Sequence, residues 1–187
     1  MGANYRDAIM DAARKAAQAH GYNGLNMRSL AENVGIKSAS IYYHFQSKAD
    51  LAAAVAKRYW EDSAAELLAL EESGNDALAC LKLYPATFRR SLENDNRMCL
   101  SSYMAAEFDD LPEEVKAEVK AFADVNVAWL AKMLLAAGKA SVEDSADRAR
   151  AIYAAVVGAQ LVARSRADIA LYDAMIKTYR AVGLLPA

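Results

Sequence analysis

Apolar residues recur at helical spacing along almost the whole chain. Alanine is abundant, positions three and four apart are repeatedly apolar, and only three prolines interrupt the pattern. No segment alternates apolar and polar residues with the period of two that a half-buried strand requires. The pattern therefore predicts an all-α protein of about nine helices.

The first 47 residues divide into three short predicted helices. The first spans Asn4–His20 and ends at Gly21, a residue type favoured just after a helix. The second occupies Asn26–Val34, with its first residue as the N-cap. Gly35 makes the next turn, and Ser38 opens the third helix.

The third helix has an anchoring face and an outer face. Ile41 and Phe45 lie four residues apart and are predicted to point inward. The opposite face and the leading tip carry Lys37, Ser38, Ala39, Ser40 and Tyr43, and the flanks carry Tyr42 and His44. Two short helices, a glycine turn and a small-residue outer face are typical of a helix-turn-helix, whose second helix enters the DNA major groove. The residues of the tip and outer face, Lys37, Ser38, Ala39, Ser40 and Tyr43, are predicted to contact bases.

Phosphate contacts are predicted for Tyr42, His44 and Lys48. The alternative for the first two is that they are helix-end residues with local hydrogen bonds. Lys48 follows Ser47, a predicted helix cap, and a lysine in a first turn opposes the helix dipole. A DNA phosphate at that helix start would offset the repulsion. Arg28 contacts a base or a phosphate, or is simply solvated.

Residues Met27–Leu51, MRSLAENVGIKSASIYYHFQSKADL, resemble the N-terminal segment of the TetR/AcrR family of one-component transcriptional regulators. The matching residues are Leu30, Ala31, Gly35, Ile41, Tyr42, His44, Phe45, Lys48 and Leu51. The sequence departs from the family at Asn26, where threonine is usual, and at Ala39, where glycine is common.

The resemblance implies a helix-turn-helix DNA-binding domain at residues 1–47 and a helical ligand-binding and dimerisation domain at residues 48–187. It also implies a regulator, usually a repressor, that a small-molecule inducer releases from a palindromic operator in double-stranded DNA. A helical DNA-binding protein without a ligand is the alternative.

Beyond the helix-turn-helix, long helices are predicted at Lys48–Glu72, Glu113–Ala137, Ser141–Arg166 and Asp168–Val182, with another around Pro85. In this family the middle helices enclose an inducer pocket. The resemblance therefore implies a pocket here, with candidate ligand contacts at Tyr84, Phe88, Cys99, Tyr103, Trp129 and Met133. Plain hydrophobic core is the alternative for each of them.

The last two helices are predicted to form a homodimer. Apolar residues recur at spacings of three and four in the final helix, and small residues line the helix before it. The predicted interface comprises Ile152, Ala155, Ala159, Ile169, Tyr172, Ile176 and Tyr179. A reader of palindromic DNA needs two recognition helices about one turn apart, which favours a symmetric dimer. Intrachain core is the alternative.

Cys99 carries a further hypothesis about the inducer. The segment NRMCLSSYMAAEFDDLP resembles a subset of the family in which a cysteine precedes an Ala-Ala-Glu triplet, and some of these members respond to electrophiles or oxidants. If ENDN, residues 93–96, caps the helix, the cysteine lies in its first turn, where unpaired amides would lower the thiol pKa. The alternative is a small buried hydrophobe.

Charge and histidine usage limit the other functions. Residues 1–60 carry eight Lys/Arg against four Asp/Glu, whereas the remainder carries 14 against 20, so only the first third is suited to a polyanion. The two histidines, His20 and His44, both lie in that third, which disfavours a histidine-based triad or metal cluster elsewhere. No cofactor or metal is predicted, and a helical small-molecule-binding protein or enzyme is the remaining rival.

Composition, the N-terminus and cysteine usage predict a cytoplasmic location. Apolar residues make up 55% and charged residues 25%, as in a folded globular protein. The apolar runs are broken by charges, so no membrane partner is predicted. The N-terminus lacks a signal-peptide core, and two cysteines form no disulfide framework.

Overall fold

The computed structural model describes residues 5–187, and this part of the chain is helical without any strand. The nine α-helices of the described residues are α1 Tyr5–His20, α2 Met27–Val34, α3 Ser38–His44, α4 Lys48–Glu72, α5 Ala77–Glu93, α6 Leu100–Ala106, α7 Glu113–Ala136, α8 Ser145–Arg166 and α9 Ile169–Ala181. A short 3₁₀ helix occupies Phe108–Asp110. The all-α prediction is confirmed, and Asn4, where the first helix was predicted to begin, lies outside the described residues.

The chain divides into two compact units. The N-terminal unit comprises the described residues up to Glu61 together with Cys99–Ala121. The C-terminal unit comprises Asp62–Met98 and Phe122–Ala187. The N-terminal unit thus joins the predicted helix-turn-helix segment to part of α4, to α6 and to the start of α7. The functional division at residues 1–47 and 48–187 stays a prediction.

The core of the N-terminal unit explains why these segments belong together. Ile9 of α1, Leu30 of α2 and Ile41 of α3 are buried in one hydrophobic cluster. Leu100 and Met104 of α6 lie fully buried in the same cluster. The three short helices are therefore stabilised by apolar area contributed from residues far along the chain.

Two predicted helix starts differ from the structure. α8 begins at Ser145 rather than Ser141, because Ser141 closes a turn before the helix: its Oγ accepts the N–H of Asp144 at 3.1 Å. The ENDN segment also does not cap α6. Asp95 and Asn96 adopt a left-handed conformation with φ of 54°, and α6 begins only at Leu100. Asp and Asn tolerate this conformation better than most residues, so the segment forms a turn.

Buried polar contacts join α5 to α8 and α9 in the C-terminal unit. α5 runs through Pro85, whose carbonyl accepts a hydrogen bond from the Tyr172 hydroxyl at 2.7 Å. The Gln160 side chain donates to the carbonyl of Phe88 at 2.6 Å. Because buried polar groups are costly without partners, these bonds fix the packing of the three helices.

Within residues 5–187, none of the helices combines the length and the apolar character that crossing a lipid bilayer demands.

Candidate nucleic-acid interface and ligand site

The turn between α2 and α3 is closed at both ends by specific local bonds. The Asn26 side chain accepts the N–H of Ser29 at 3.0 Å and caps α2, as predicted. At the other end Gly35 has φ of 78°, and the N–H of Ile36 donates to the carbonyl of Ala31 at 3.0 Å. This is a Schellman motif, which requires the left-handed conformation that glycine adopts without strain.

α3 presents an exposed face opposite its anchor. Ile41 is fully buried and Phe45 almost so, whereas Tyr43 is 88% exposed. The tip and outer face, comprising Lys37, Ser38, Ala39 and Ser40, are exposed as well. The predicted separation of α3 into a buried anchoring face and an exposed outer face is confirmed. Base contacts by the outer face stay a prediction.

The flanks of α3 differ from each other. Tyr42 is 52% exposed, whereas His44 is half-buried. The His44 ring meets the Tyr43 ring edge-on, with 5.3 Å between centroids. The contact orients two aromatic side chains at the C-terminal end of the helix, and phosphate contacts there stay predictions.

The start of α4 forms the predicted cap. Ser47 Oγ accepts the N–H of Asp50 at 3.0 Å, and the Asp50 carboxylate accepts the N–H of Gln46 at the same distance. In the usual capping box the acidic side chain accepts the N–H of the cap residue itself. Here the Asp50 carboxylate accepts the N–H of the residue before the cap. Lys48 begins α4, with its ammonium 4.2 Å from the ring centroid of Tyr22.

Arg28 lies at the exposed surface of α2. Its Nε donates to the Glu32 carboxylate at 3.1 Å, and its side chain remains 82% exposed. An exposed pair of this kind contributes little to stability. The guanidinium is thus accessible, with an acidic neighbour that competes with any DNA phosphate.

Four of the predicted ligand contacts lie in the C-terminal unit, and three of them form an aromatic cluster. Tyr84 stacks on Trp129 with ring centroids 5.7 Å apart, and it packs against Phe88 at the same distance. Met133, predicted beside them, is buried in the same unit. These residues form hydrophobic core, and their role as ligand contacts stays a prediction.

Sequence reasoning missed several members of this cluster. The Tyr84 hydroxyl donates to the Asn126 side chain at 3.0 Å, and the Asn126 amide donates to the carbonyl of Phe122 at 2.9 Å. Tyr153 adds another ring, 6.2 Å from Phe88. The helical position of a lone asparagine gives no signal of burial, so only the three-dimensional packing reveals this polar anchor.

A groove lies beside the aromatic cluster. Its volume is about 420 Å³, and it is lined by Ala123, Asp124, Val127, Ala128, Ala131, Ala146, Arg150 and Tyr153. Tyr153 belongs both to the groove and to the aromatic cluster. An apolar ligand in the groove would therefore contact a ring of the cluster directly.

The other two predicted ligand residues, Cys99 and Tyr103, belong to the N-terminal unit. The prediction that Cys99 has a lowered pKa is wrong. It is the N-cap residue of α6 and is fully buried, and desolvation raises the pKa of its thiol despite hydrogen bonds to Ser102 and Tyr59 that act the other way. Desolvation penalises the thiolate more than the helix start favours it.

Four residues of the predicted dimer seam are buried in the C-terminal unit. Ile152, Ala159 and Tyr172 are at most 1% exposed, and Ile176 is 5% exposed. They pack inside the C-terminal unit, and their role in a dimer interface stays a prediction. Ala155, Ile169 and Tyr179 are half-buried and remain candidates.

Apolar side chains on α8 are exposed instead. Leu161 is 52% exposed and Val162 41%, while Ala151 and Ala154 also lie at the surface. Gly158 has open space where a Cβ would stand. Along α8, Ala151, Ala154 and Leu161 are exposed and Gly158 is half-buried, and on α9 Ala170 and Ala174 are exposed; these six residues are called the exposed stripe.

In the described part of the chain, no three His, Cys, Asp or Glu side chains come together in a group that could hold a metal ion.

An all-α chain that begins with a capped helix-turn-helix has the fold of a DNA-binding regulator. The sequence model described as "Bacterial regulatory proteins, tetR family" matches residues 9–55. The transcriptional repressor AcnR of Corynebacterium diphtheriae is 36% identical over 69 residues, which is 37% of this chain and 35% of the relative. The chain therefore matches about a third of the length of this curated relative.

Solved structures match over nearly the full length. A TetR transcriptional regulator from Legionella pneumophila has a TM-score of 0.90 and 29% identity, covering 97% of this chain and 99% of that one. A TetR-family regulator from Agrobacterium tumefaciens has a TM-score of 0.85 and 29% identity, covering 92% and 94%. Residues 9–55 therefore match the tetR-family model, and the described part of the chain has the fold of TetR-family transcriptional regulators.

Proposed function

We propose that the protein is a transcriptional regulator, a repressor that binds a palindromic DNA operator as a homodimer and is released by a small molecule. The observation that carries the proposal is the exposed face of α3, with Tyr43 88% exposed above a fully buried Ile41. A helix with one anchored face and one small, polar outer face fits the major groove. The AcnR relatives, which are named as repressors, favour repression.

The DNA contacts of the proposal follow the placement of the side chains. Lys37, Ser38, Ala39, Ser40 and Tyr43 contact bases, while Tyr42, His44 and Lys48 contact phosphates. Arg28 contacts a base or a phosphate once it leaves Glu32, because a solvent-exposed pair is readily exchanged. Direct hydrogen bonds to base edges carry sequence preference, whereas phosphate contacts set affinity and salt dependence.

The test begins with the selection of bound duplexes from random DNA, followed by affinity measurements at several salt concentrations. Lys48→Ala should weaken binding to every sequence and reduce the slope of log affinity against log salt by about one. Tyr43→Ala should change the preferred sequence instead. Lys139→Ala removes an exposed lysine of the C-terminal unit. It should leave the DNA affinity, its salt dependence and the preferred sequence unchanged. Equal effects of the two lysine variants would contradict the proposed interface.

The homodimer is proposed to form through the exposed stripe of α8 and α9. Small side chains at the stripe allow two helices to approach closely, and Leu161 supplies apolar area at its end. A palindromic operator requires the same symmetry. The half-buried Ala155, Ile169 and Tyr179 border this face in the proposal.

Leu161→Glu should produce monomers in sedimentation velocity and abolish operator binding. Val142→Glu is the matched control, because Val142 is an exposed apolar residue outside α8 and α9. Val142→Glu should remain dimeric. A dimer that survives Leu161→Glu would place the interface elsewhere.

The small molecule is proposed to bind reversibly at the groove and the adjoining aromatic cluster. The groove volume of about 420 Å³ suits a small ligand, and Tyr153 connects the groove to the rings of the cluster. A compound that releases DNA should quench Trp129 fluorescence in a Trp60→Phe variant, which keeps a single tryptophan. Release of DNA without any change at Trp129 would contradict this site. If no metabolite in a broad screen releases DNA, the alternative of a ligand-independent DNA-binding protein is favoured.

A further inference from the structure

The turn after α1 is completed by a residue from α6. Gly21 closes α1: its N–H donates to the carbonyl of Ala17 at 2.8 Å, and its φ is 68°. The carbonyl of His20 also accepts a backbone bond, from the N–H of Gly24 at 3.2 Å, whereas the N–H that follows Gly21 finds its partner outside the helix. That N–H belongs to Tyr22, and it donates to the carboxylate of Glu107 at 2.7 Å.

Glu107 occupies the space that glycine leaves open. It is the C-cap residue of α6, and its carboxylate lies where a Cβ on Gly21 would stand. A carboxylate accepting from a backbone amide forms a short and strong hydrogen bond. The contact therefore fixes the backbone at Tyr22 from a position 85 residues away in sequence.

The side chain of Tyr22 extends the contact to the proposed DNA interface. The ammonium of Lys48 lies 4.2 Å from the centroid of the Tyr22 ring, a cation–π geometry. A lysine side chain loses considerable rotamer freedom when it is ordered. A ring that already holds the ammonium at the start of α4 lowers that cost at the moment of DNA binding, and the outer N–H groups stay available.

We propose that Glu107 and Tyr22 are positioning residues for the phosphate contact of Lys48. The Glu107 carboxylate fixes the turn, the turn fixes the ring, and the ring holds the ammonium. The inference rests on the proposed DNA-binding function and goes beyond it, because it makes DNA affinity depend on a residue of α6 outside the helix-turn-helix.

A double-mutant cycle on the full-length chain tests the step from Tyr22 to Lys48. Tyr22→Phe keeps the ring and should bind the selected operator within about twofold of wild type. Tyr22→Leu keeps apolar volume without the ring face and should weaken binding about two- to fivefold. In the Lys48→Ala background, Tyr22→Leu should have no further effect. An equal loss in both backgrounds would show that Tyr22 acts on folding alone and would overturn the proposal.

The step from Glu107 to Tyr22 has a readout that needs no DNA. Glu107→Ala removes the acceptor, so hydrogen exchange at the Tyr22 amide should accelerate at least tenfold. Glu107→Gln retains an acceptor oxygen and should keep most of the protection. Glu107→Ala should also weaken DNA binding through Lys48, with no effect in the Lys48→Ala background. All variants are compared at a temperature where thermal unfolding shows each to be folded.

The outcomes separate this inference from the proposed function. If the wild-type chain binds no DNA, the regulator proposal and the positioning proposal both fall. If it binds DNA with the Lys48 dependence described above but Tyr22 amide exchange is unchanged in Glu107→Ala, only the positioning proposal falls. The positioning proposal is supported if the Tyr22 amide loses its protection in Glu107→Ala and if the effects of Tyr22→Leu and Lys48→Ala on DNA binding are not additive.

Discussion

Two glycines with the same backbone conformation should respond differently to the same substitution. Gly21 and Gly35 have φ of 68° and 78°. Alanine at either position must adopt the left-handed region, which costs ~1–2 kcal/mol. A Cβ at Gly35 meets nothing within 4 Å, so Gly35→Ala should lower the free energy of unfolding by about this amount alone.

Gly21→Ala carries a second cost. Its Cβ would displace the Glu107 carboxylate and break the hydrogen bond to Tyr22. Loss of a hydrogen bond to a charged group is worth ~1.5–3 kcal/mol. The total for Gly21→Ala is therefore about 2.5–5 kcal/mol. In a Glu107→Ala background the same substitution should cost only the backbone strain.

The assay is equilibrium unfolding in urea, followed by the fluorescence of Trp60 in a Trp129→Phe background. Trp60 lies in the N-terminal unit, and the sequence has only these two tryptophans, so the signal reports that unit. The protomer concentration is held constant, because association of subunits shifts apparent stability. The reasoning is refuted if Gly21→Ala and Gly35→Ala cost the same, or if Glu107→Ala leaves the cost of Gly21→Ala unchanged.

Three further outcomes are expected. Tyr84→Phe leaves the buried Asn126 oxygen without its donor and should cost about 1–3 kcal/mol in urea unfolding; an unchanged midpoint would mean that water reaches the site. The Arg89 guanidinium, which donates a hydrogen bond to Asp173, lowers the pKa of that carboxyl below its ordinary 3.8. The pair contributes less than about 1 kcal/mol to the free energy of unfolding, because it is partly exposed. This contribution is present above pH 3.8 and is lost as the pH falls through the folded-state pKa. Asp173→Asn should flatten that acid limb of stability, and an identical limb would contradict the assignment. Burial raises the pKa of the Cys99 thiol and shields it from solvent. The thiol should therefore react with a disulfide reagent only after denaturation. Rapid labelling of Cys99 in the folded chain would contradict the structure.

The helix-turn-helix was predictable because its signals are local. Asn26 caps α2 through the N–H of Ser29, three positions away. At the other end of the helix, the N–H of Gly35 donates to a carbonyl three positions back and the N–H of Ile36 to one five positions back. Ile41 and Phe45 share a face by helical spacing alone. Each of these interactions depends on neighbours within one or two turns, so the sequence pattern contains the information needed.

The burial of the predicted dimer residues could not be read from helical spacing. Helical spacing correctly groups Tyr172 with Ile176 on one face of α9, but both are buried within the C-terminal unit. An apolar stripe has the same period whether it faces its own core or a partner. Which apolar residues of α8 remain exposed, such as Leu161, depends on how the helix packs against its neighbours.

Contacts over long sequence separations were missed altogether. The bond from Tyr22 to Glu107 depends on tertiary packing that no local pattern records. Cys99 shows the same limit, because its helix position alone favoured a lowered pKa. Burial, which depends on the surrounding helices, reverses the direction.

The discontinuity of the N-terminal unit also constrains recombination of the chain. A segment ending at residue 61 lacks Leu100, Met104 and Val115, which are fully buried in the hydrophobic cluster of that unit. During synthesis on the ribosome, this cluster is complete only after residues 99–121 have left the exit tunnel. Chimeras that exchange the C-terminal unit should therefore keep residues 99–121 with the N-terminal segment and replace only 62–98 and 122–187.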